Sequence, residues 1–579
     1  MAHWQIRALV VGVAPVWLML AGCGAARSAE GAFPDGTSGG TAGGTGACFL
    51  DSDCPSGLLC KAQQCVADDG KPPEQKQSSV FQRPQTSAHY IFAISPDSDS
   101  IAVIDPATLA IRSVTLPHEP FGLAVLPDRD AAIVVERAGA SISYLACDAA
   151  ACTLRSQPTA RRYPAVTVSP DGAWALLWTP DPAPPDQGAE GIVGLVDLDA
   201  LASGSPAPIV ERVTGRRDTQ ALFRMDQGAA AEAVVVGEDT VSLIDLANLA
   251  QQPLPQSVAL PEALRTIATR SAVGSADGAW VLLSSLSSND IAALDTATGT
   301  LASLALPGKP SDIALSPDGR TAVAVLRDIG QVARFPLPDA LADPGQVELT
   351  SVALTAEGCA APPPETDGGG VDGGATPPAC VAAPGQVVLS PDGKLAALFT
   401  NSQPSKSFAV LDLQSGALSS FDGLEKWVDT LGIGPNGHSV VVLHRPNSGS
   451  NAADPYQKMV DQSQGYSVVD LAAGAAQLEL TMAVPPQQIV FAGDGAHAGV
   501  TLSDPAHAKY QVDAVDLQTL ITSSLALASA PQFAGAFAGS TALIWVTQDH
   551  PAGRISFVDL ATHQVRTATG YALNAEIQP

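Results

Sequence analysis

Residues Ala165–Trp178, AVTVSPDGAWALLW, place two short apolar runs on either side of a Pro-Asp-Gly turn. Glycine after aspartate suits a tight turn because it accepts a positive φ without a Cβ clash. The turn also interrupts any apolar stripe of 3.6-residue period, which argues against a helix. The stretch therefore predicts two antiparallel strands joined by a tight turn.

The same turn recurs along the chain, and each copy is followed by an apolar run that ends in aspartate. SPDG and its looser versions begin at Ser169, Ser316, Ser390, Leu126, Ser275, Gly434 and Ala492. The closing aspartates are Asp105, Asp197, Asp245, Asp295, Asp412, Asp470, Asp516 and Asp559, with degenerate copies of the run near Tyr144 and Phe335. A spacing of about 50 residues, with about four short strands per unit, is typical of propeller blades.

This repeat predicts an all-β fold, a β-propeller of about eight to ten four-stranded blades over residues 89–579. The segment 90–95 begins in the middle of a unit, whereas 571–577 follows a complete unit. We therefore expect the N-terminal and C-terminal strands to pair and close the ring. One ring is favoured over two because no linker-like break divides the repeats. The units resemble the YVTN-type and related WD-like repeats of bacterial propellers, a resemblance that implies a fold and no particular activity.

The amino end has the layout of an export signal. Arg7 precedes an apolar run that ends at Leu20, which predicts a signal peptide over residues 1–22 rather than a spanning helix. Leu20–Cys23, LAGC, resembles the lipobox of bacterial lipoproteins, and the resemblance implies an acylated Cys23 at the mature terminus. Gly24, where aspartate would favour the inner membrane, implies an outer-membrane lipoprotein facing the periplasm or the cell surface. The alternative is an ordinary cleaved signal with an incidental cysteine.

Residues 23–47 are rich in glycine and small polar residues, which predicts a flexible tether. The segment 48–66 has too few apolar residues for a core but contains Cys48, Cys54, Cys60 and Cys65. Two disulfides would stabilise it, with three connectivities open. The segment resembles the small cysteine-rich modules of the Dickkopf amino-terminal type. A zinc site is the rival interpretation, although the spacing lacks the close cysteine pairs of a zinc finger. A polar linker is predicted over 67–88.

Four more cysteines form two local pairs. Cys147 and Cys152 flank a four-residue turn between two predicted strands, so their sulfurs are expected to meet across the hairpin. Cys359 and Cys380 bracket a Pro- and Gly-rich stretch that a bridge would restrain. Disulfides are the default in an oxidising compartment.

Charge excludes some classes of partner. The chain has 58 acidic and 30 basic side chains, a formal net charge of −28. Such a chain repels phosphate backbones and anionic lipid, which disfavours nucleic-acid binding and polybasic docking to membranes. We expect contact with the membrane through the N-terminal lipid, and protein partners from the envelope or the extracellular space.

Strings that look catalytic lack the structural context that they need. Gly432–Gly437 fits G-x-G-x-x-G but precedes a predicted strand, whereas a dinucleotide site needs a helix N-terminus there. His438 and His444 lie about 20 Å apart along one strand, too far to share an ion. We therefore name no catalytic residue, no metal site and no cofactor.

The remaining candidates lie where the innermost strands begin, around one mouth of the channel. They are His118, Glu119, Arg162, Asp218, Arg265, Lys309, Asp312, Lys426 and Asp429. Mixed charges on a concave rim predict a ligand or peptide site; the alternative is that they only solvate the channel. The long segments 362–378 and 446–464 are expected to be mobile surface excursions.

These observations favour a lipid-anchored envelope propeller that acts as a non-catalytic protein-binding scaffold. The alternative is a propeller enzyme, lactonase-like or a periplasmic oxidoreductase, with a site at the channel rim.

Overall fold

The computed structural model describes residues 84–573, except 127, 138, 182–189, 206–207, 357–380, 451, 538 and 540, together with residues 54, 58–61 and 64–67. Ten four-stranded antiparallel sheets follow one another along the described chain, and each sheet is one blade. The predicted propeller ring is therefore confirmed, with ten blades. The degenerate units near Tyr144 and Phe335 are blades 2 and 6.

Every blade takes its four strands from one continuous stretch of sequence. The strands of blades 1–5 are Gln85–Thr86, Ile91–Ser95, Ser100–Ile104 and Ile111–Thr115; Pro120–Leu126, Ala131–Glu136, Ser141–Cys147 and Cys152–Pro158; Ala165–Val168, Trp174–Trp178, Glu190–Asp197 and Val210–Arg216; Gln220–Asp226, Ala229–Val236, Thr240–Asp245 and Gln256–Ala259; Arg270–Gly274, Trp280–Ser285, Asp290–Asp295 and Thr300–Ala305. The strands of blades 6–10 are Asp312–Leu315, Thr321–Leu326, Gln331–Pro336 and Glu348–Ser351; Gln386–Leu389, Leu395–Phe399, Phe408–Asp412 and Leu418–Phe421; Trp427–Ile433, Ser439–Arg445, Gln464–Asp470 and Ala475–Met482; Pro486–Phe491, His497–Asp504, Lys509–Asp516 and Thr522–Ala526; Pro531–Ala536, Leu543–Gln548, Arg554–Asp559 and Gln564–Thr569.

Helices and one small sheet occupy connections, and a second small sheet precedes the first blade in sequence. The α-helices are α1 (Leu198–Ser203), α2 (Asp339–Ala342) and α3 (Pro455–Gln462). Short 3₁₀ turns cover Pro96–Ser98, Glu262–Leu264, Ile267–Thr269, Arg327–Ile329, Pro344–Gln346 and Pro505–His507. Two-stranded sheets pair Leu58–Lys61 with Gln64–Ala67 and Leu354–Thr355 with Val381–Ala382. Across the described residues, every helix is too short or too polar to span a bilayer.

The core lies between blades. Second and third strands are buried on both faces, as in Ala131–Glu136, because each sheet packs against a neighbour on either side. Fourth strands such as Cys152–Pro158 alternate between partly buried and exposed positions. First strands of most neighbouring blades contact one another. They therefore surround the centre of the ring, and the fourth strands form its outside.

Strand direction divides the connections between two faces of the ring. We call one the turn face; it carries the turns between first and second strands and between third and fourth strands. The other, the loop face, carries the connections between second and third strands and the links between blades.

The predicted Pro-Asp-Gly turns lie on the turn face. In blade 3, Ser169 Oγ donates to Asp171 Oδ1 at 2.5 Å and accepts from Trp174 N at 2.9 Å, while Gly172 has φ of +69°. Serine, aspartate and glycine therefore each have a defined role in the turn.

The ring closes in a different way from the one predicted. Among the described residues, the first sheet takes all four strands from 85–115 and none from the C-terminal end. Gln85–Thr86 fill the innermost place of this sheet, which the prediction gave to a C-terminal strand; residues 574–577 of that predicted strand lie outside the described residues. Blades 1 and 10 instead pack face to face, with Ile91 and Ile104 against Trp545 and Phe557.

Polar contacts support this closure. The Arg566 guanidinium donates to Pro106 O at 2.6 Å and to Ala107 O at 2.8 Å, and Ser98 Oγ donates to Ala572 O at 3.2 Å. Residues 570–573 thus lie beside the first sheet rather than within it.

Side chains of some first strands bond the main chain of the next first strand. These bonds run from Gln85 Nε2 to Leu123 O (2.6 Å), from Val125 N to Gln85 Oε1 (3.0 Å), from Gln488 Nε2 to Gln532 O (3.2 Å), from Ala534 N to Gln488 Oε1 (3.1 Å) and from Val387 N to Asp312 Oδ2 (3.0 Å). Innermost strands are therefore joined directly across these blade boundaries.

Two disulfides lie in the described part. Cys147–Cys152 closes the outer hairpin of blade 2, as predicted, with Cα atoms 4.1 Å apart. Cys54–Cys65 is also formed, and only one of the three connectivities of the cysteine-rich segment contains it. Cys23, Cys48, the Cys60 side chain, Cys359 and Cys380 lie outside the described residues.

Candidate functional site

The loop face is irregular in one sector. Its two longest connections, 352–385 and 446–463, belong to blades 6 to 8, and the connection 400–407 of blade 7 lies between them in sequence. We call the described residues of these three connections the loop cluster. Side-chain bonds join all three, so this sector is one continuous surface.

The stem of the first connection is fixed to blade 7. Thr355 N donates to Ser407 Oγ at 2.7 Å, and Ser405 Oγ donates to Thr355 O at 3.0 Å. Both serines are completely buried. Thr355 Oγ1 also donates to Asp422 Oδ1 at 2.8 Å. The small sheet at residues 354–355 and 381–382 is therefore held against connection 400–407.

Asp461 joins the second connection to blade 7. Its carboxylate accepts from Ser450 Oγ at 2.6 Å, Gln457 Nε2 at 2.8 Å and Lys406 Nζ at 3.3 Å. Burial acts to raise the pKa of Asp461, but these three hydrogen bonds outweigh it and lower the pKa below its usual value. The carboxylate is thus charged near neutral pH and holds α3 against the ring.

The described residues of 446–464 include helix α3, so the expectation of a mobile excursion was wrong there; the segment 362–378 lies outside the described residues. Asp454 caps α3 by accepting from Tyr456 N at 3.0 Å, and Pro455 fills the first helical position. Val460 is completely buried. The Asp-Pro pair was the sequence signal for this helix, within a stretch whose Gly, Asn and Pro content suggests a loop.

Helix α3 presents an apolar pair to solvent. Tyr456 and Met459, three residues apart and so on the same side of α3, are 62% and 50% exposed. Their exposure contrasts with the buried polar network beneath the helix. This pair is the most prominent apolar feature of the loop cluster.

Lys426 and Asp429, two predicted rim residues, lie beside the loop cluster. Lys426 is 1% exposed and donates from Nζ to Gln464 O at 2.7 Å; burial lowers its pKa to about 8. Burial raises the pKa of Asp429, with Arg445 opposing the shift. Asn401 Nδ2 donates to Asp429 O at 3.2 Å, which joins blade 8 to connection 400–407. Lys426 and Asp429 therefore connect blade 8 to the loop cluster.

Two other predicted rim residues are buried at blade boundaries. Asp312 accepts from Val387 N in the next first strand. Asp218 is 1% exposed, and burial raises its pKa to about 7 despite hydrogen bonding from Thr214 Oγ1 at 3.2 Å. Asp312 therefore joins two neighbouring first strands, and Asp218 fills space at its blade boundary.

The remaining predicted residues occupy separate links on the loop face. His118, Arg162, Arg265 and Lys309 are exposed, and Glu119 is half-buried. His118 and Glu119 precede blade 2, whereas the other three precede blades 3, 5 and 6. They are distributed around the ring rather than gathered at one point.

Blade 8 also buries a histidine network that the sequence did not suggest. His444 Nε2 lies 2.6 Å from Ser467 Oγ, and Nδ1 lies 3.2 Å from Trp427 O. Burial lowers the pKa of His444 to about 3, so the ring is neutral, and its Nδ1–H donates to the carbonyl.

The resemblance of this network to a catalytic triad is superficial. Glu479 Oε1 is 3.9 Å from Nε2, the nitrogen that faces Ser467, whereas a triad carboxylate binds the opposite nitrogen. The network lies on three different strands, so no short motif could have revealed it. Elsewhere in the described residues, no three His, Cys, Asp or Glu side chains are grouped to hold a metal ion.

Comparisons with known proteins give only distant likenesses. No protein-family model and no curated protein matches the chain. Among solved structures, hydrazine synthase of Kuenenia stuttgartiensis is 15% identical over 50% of this chain and 76% of its own, with a TM-score of 0.31. Dihydro-heme d1 dehydrogenase NirN in complex with DHE is 14% identical over 77% of this chain and 74% of its own, with a TM-score of 0.37. A eukaryotic initiation factor is 10% identical over 85% of this chain and 98% of its own, with a TM-score of 0.47. Likenesses this distant carry no argument about function.

Proposed function

We propose that this propeller is a lipid-anchored scaffold of the cell envelope that binds another protein through its loop cluster. One observation carries the proposal: three connections on neighbouring blades form a single hydrogen-bonded surface that exposes Tyr456 and Met459. Binding residues are commonly found on loops that a rigid scaffold positions.

The chemistry of this surface suits a protein partner. Aromatic residues and methionine are enriched in interfaces, and both types stand here on one helix face. The bonds of Asp461 order α3 before any partner arrives, so less conformational entropy is lost on binding. The surface therefore combines apolar anchors with a prearranged backbone.

The amino end supports the proposed location. The LAGC sequence at Leu20–Cys23 supports acylation of Cys23, and two or more acyl chains hold a protein stably on a bilayer. The disulfides Cys54–Cys65 and Cys147–Cys152 support an oxidising compartment. The outer membrane is the proposed site, on its periplasmic or external side.

A crosslinking experiment tests the binding surface. A photoreactive phenylalanine analogue in place of Tyr456, in the full chain in intact cells, is expected to give one reproducible crosslinked protein. The double variant Tyr456→Ala, Met459→Ala should lose at least about 90% of that protein's co-purification, a tenfold weakening.

The matched control is on the turn face. Leu254 and Ile521 are 73% and 61% exposed there, and Leu254→Ala, Ile521→Ala should leave co-purification unchanged. If both double variants retain the partner equally, or if position 456 gives no crosslink, the loop cluster is not the binding surface.

A further inference from the structure

Two equivalent grooves open on the turn face between neighbouring blades. The larger, between blades 3 and 4, has a volume of 570 Å³, and the smaller, between blades 5 and 6, has 430 Å³. Trp174 and Trp280, the first residues of their second strands, line them, each paired across the sheet with an aspartate. We call the larger one the Arg212 groove and the smaller one the sister groove.

Arg212 distinguishes the larger groove. It lies on the fourth strand and pairs with Val193, four residues before the closing Asp197. Seven other blades have an apolar residue at the equivalent place, namely Val114, Val258, Leu304, Phe421, Leu480, Leu525 and Ala568. Blade 3 therefore carries a cation where the repeat specifies a hydrophobic side chain.

This cation lacks a charged partner among the described residues. Arg212 is 9% exposed; its Nη1 donates to Glu211 O at 2.8 Å and its Nη2 donates to Leu249 O. Its Nε is buried without a hydrogen-bond partner. The neighbouring Glu211 carboxylate is engaged by Arg161 and Tyr163. A buried cation without a counter-ion is costly, and proteins depart from their repeat pattern mainly at functional sites.

The groove offers an apolar wall beside this cation. Trp174, Val210, Leu246 and Leu249 line it, and its volume lies within the range of small-ligand sites. Asp197, the other charged residue of the lining, caps α1 by accepting from Ala200 N at 2.9 Å and keeps its negative charge. Arg212 is the cation of the lining, and its Nε still lacks a hydrogen-bond acceptor.

We propose that the Arg212 groove binds an apolar ligand that carries one carboxylate, with the apolar part on Trp174 and the carboxylate at Arg212. The carboxylate belongs either to a small free acid or to the C-terminus of a peptide. The groove is on the face opposite the loop cluster, so this site does not depend on the scaffold function proposed above.

Titration calorimetry of the full chain tests the proposal with 3-phenylpropionate and its amide. The acid is expected to bind at least about tenfold more tightly than the amide, and Arg212→Leu should remove that preference. The variant should fold, because leucine fills the equivalent place in blade 5. A thermal unfolding midpoint equal to that of wild type, or higher, would verify that Arg212→Leu is folded. Trp280→Phe in the sister groove is the matched control and should bind as wild type does.

A second pair of probes distinguishes the two sources. N-acetyl-Leu-Phe as free acid should bind more tightly than 3-phenylpropionate if the occupant is a peptide terminus, and more weakly if it is a small acid. The proposal is wrong if the acid and the amide bind equally, if Arg212→Leu binds the acid as wild type does, or if no probe binds at about 10 mM.

Discussion

Lys406 Nζ lies 3.3 Å from Asp461 Oδ1, and this ion pair joins the loop-face connections of blades 7 and 8. Asp461→Ala would remove the acceptor that Lys406, Ser450 and Gln457 share. We expect a local loss of about 3 kcal/mol, because one buried ion pair and two hydrogen bonds to a charged group are lost together. Hydrogen exchange of amides 447–463 measures it, and the other blades should be unaffected.

The control for that variant is an exposed ion pair. Lys394 and Asp392 are 71% and 43% exposed, and Lys394→Ala should not change exchange anywhere in the ring. Equal protection of 447–463 in wild type and Asp461→Ala would show that the carboxylate does not hold α3.

Ring closure depends on apolar packing between blades 1 and 10. Phe557 is 1% exposed and packs with Ile91 and Trp545. Phe557→Ala should cost about 3–5 kcal/mol, because the surrounding sheets cannot fill the cavity. Hydrogen exchange should increase in blades 1 and 10 together. Phe408→Ala, at the interface between blades 7 and 8, should instead increase hydrogen exchange in those two blades. Identical exchange patterns for the two variants would contradict face-to-face closure of blades 1 and 10.

Asp218 makes stability depend on pH. Burial raises its pKa to about 7 in the folded chain, from 3.8. Between these values the unfolded chain releases the proton while the folded chain keeps it, so the free energy of unfolding falls as pH rises, by at most about 4 kcal/mol. Asp218→Asn removes this dependence. The free energy of unfolding of the variant minus that of wild type should therefore be larger at pH 8 than at pH 4.

Asp504 provides a control of opposite sign for that measurement. A hydrogen bond from His507 lowers the pKa of Asp504, so its contribution to stability is lost as pH falls through the folded pKa. Asp504→Asn should be less stable than wild type at neutral pH and equal to it in acid. Denaturant unfolding at several pH values compares the two variants. Parallel curves for Asp218→Asn and wild type would show that folding does not raise the pKa of Asp218.

The proposed anchor depends on one cysteine. Cys23→Ser should release the protein from the membrane fraction, since acyl chains supply the attachment. Gly24→Asp should leave it membrane-bound but move it to the inner membrane, by the resemblance to lipoproteins. Density-gradient fractionation checks both variants. A Cys23→Ser protein that remains bound as firmly as wild type would refute acylation as the anchor.

The blade repeat could be predicted because it is local. Ser169, Asp171 and Gly172 specify one turn within four residues, and the closing aspartates recur at blade spacing. Ring closure was predicted incorrectly because Gln85–Thr86, only two residues long, carry no apolar run, although they fill the innermost place of the first blade.

The site was less accessible to sequence reasoning than the fold. The bonds of Asp461 reach Lys406 on another blade, and no pattern within one segment reveals such a contact. Arg212 is different, because it becomes conspicuous once the registers of the blades are compared. That comparison needs strand pairing, which the sequence alone does not provide.

The packing of Ile91 against Phe557 is the one blade interface that joins distant parts of the chain, since every other described interface joins consecutive blades. Closing this interface has the largest cost in loop-closure entropy of any step in assembly. A circular permutant with a linker from residue 573 to residue 84 and new termini at 483–485 would make this interface local. Such a permutant should keep the same ring but assemble its blades in a different order.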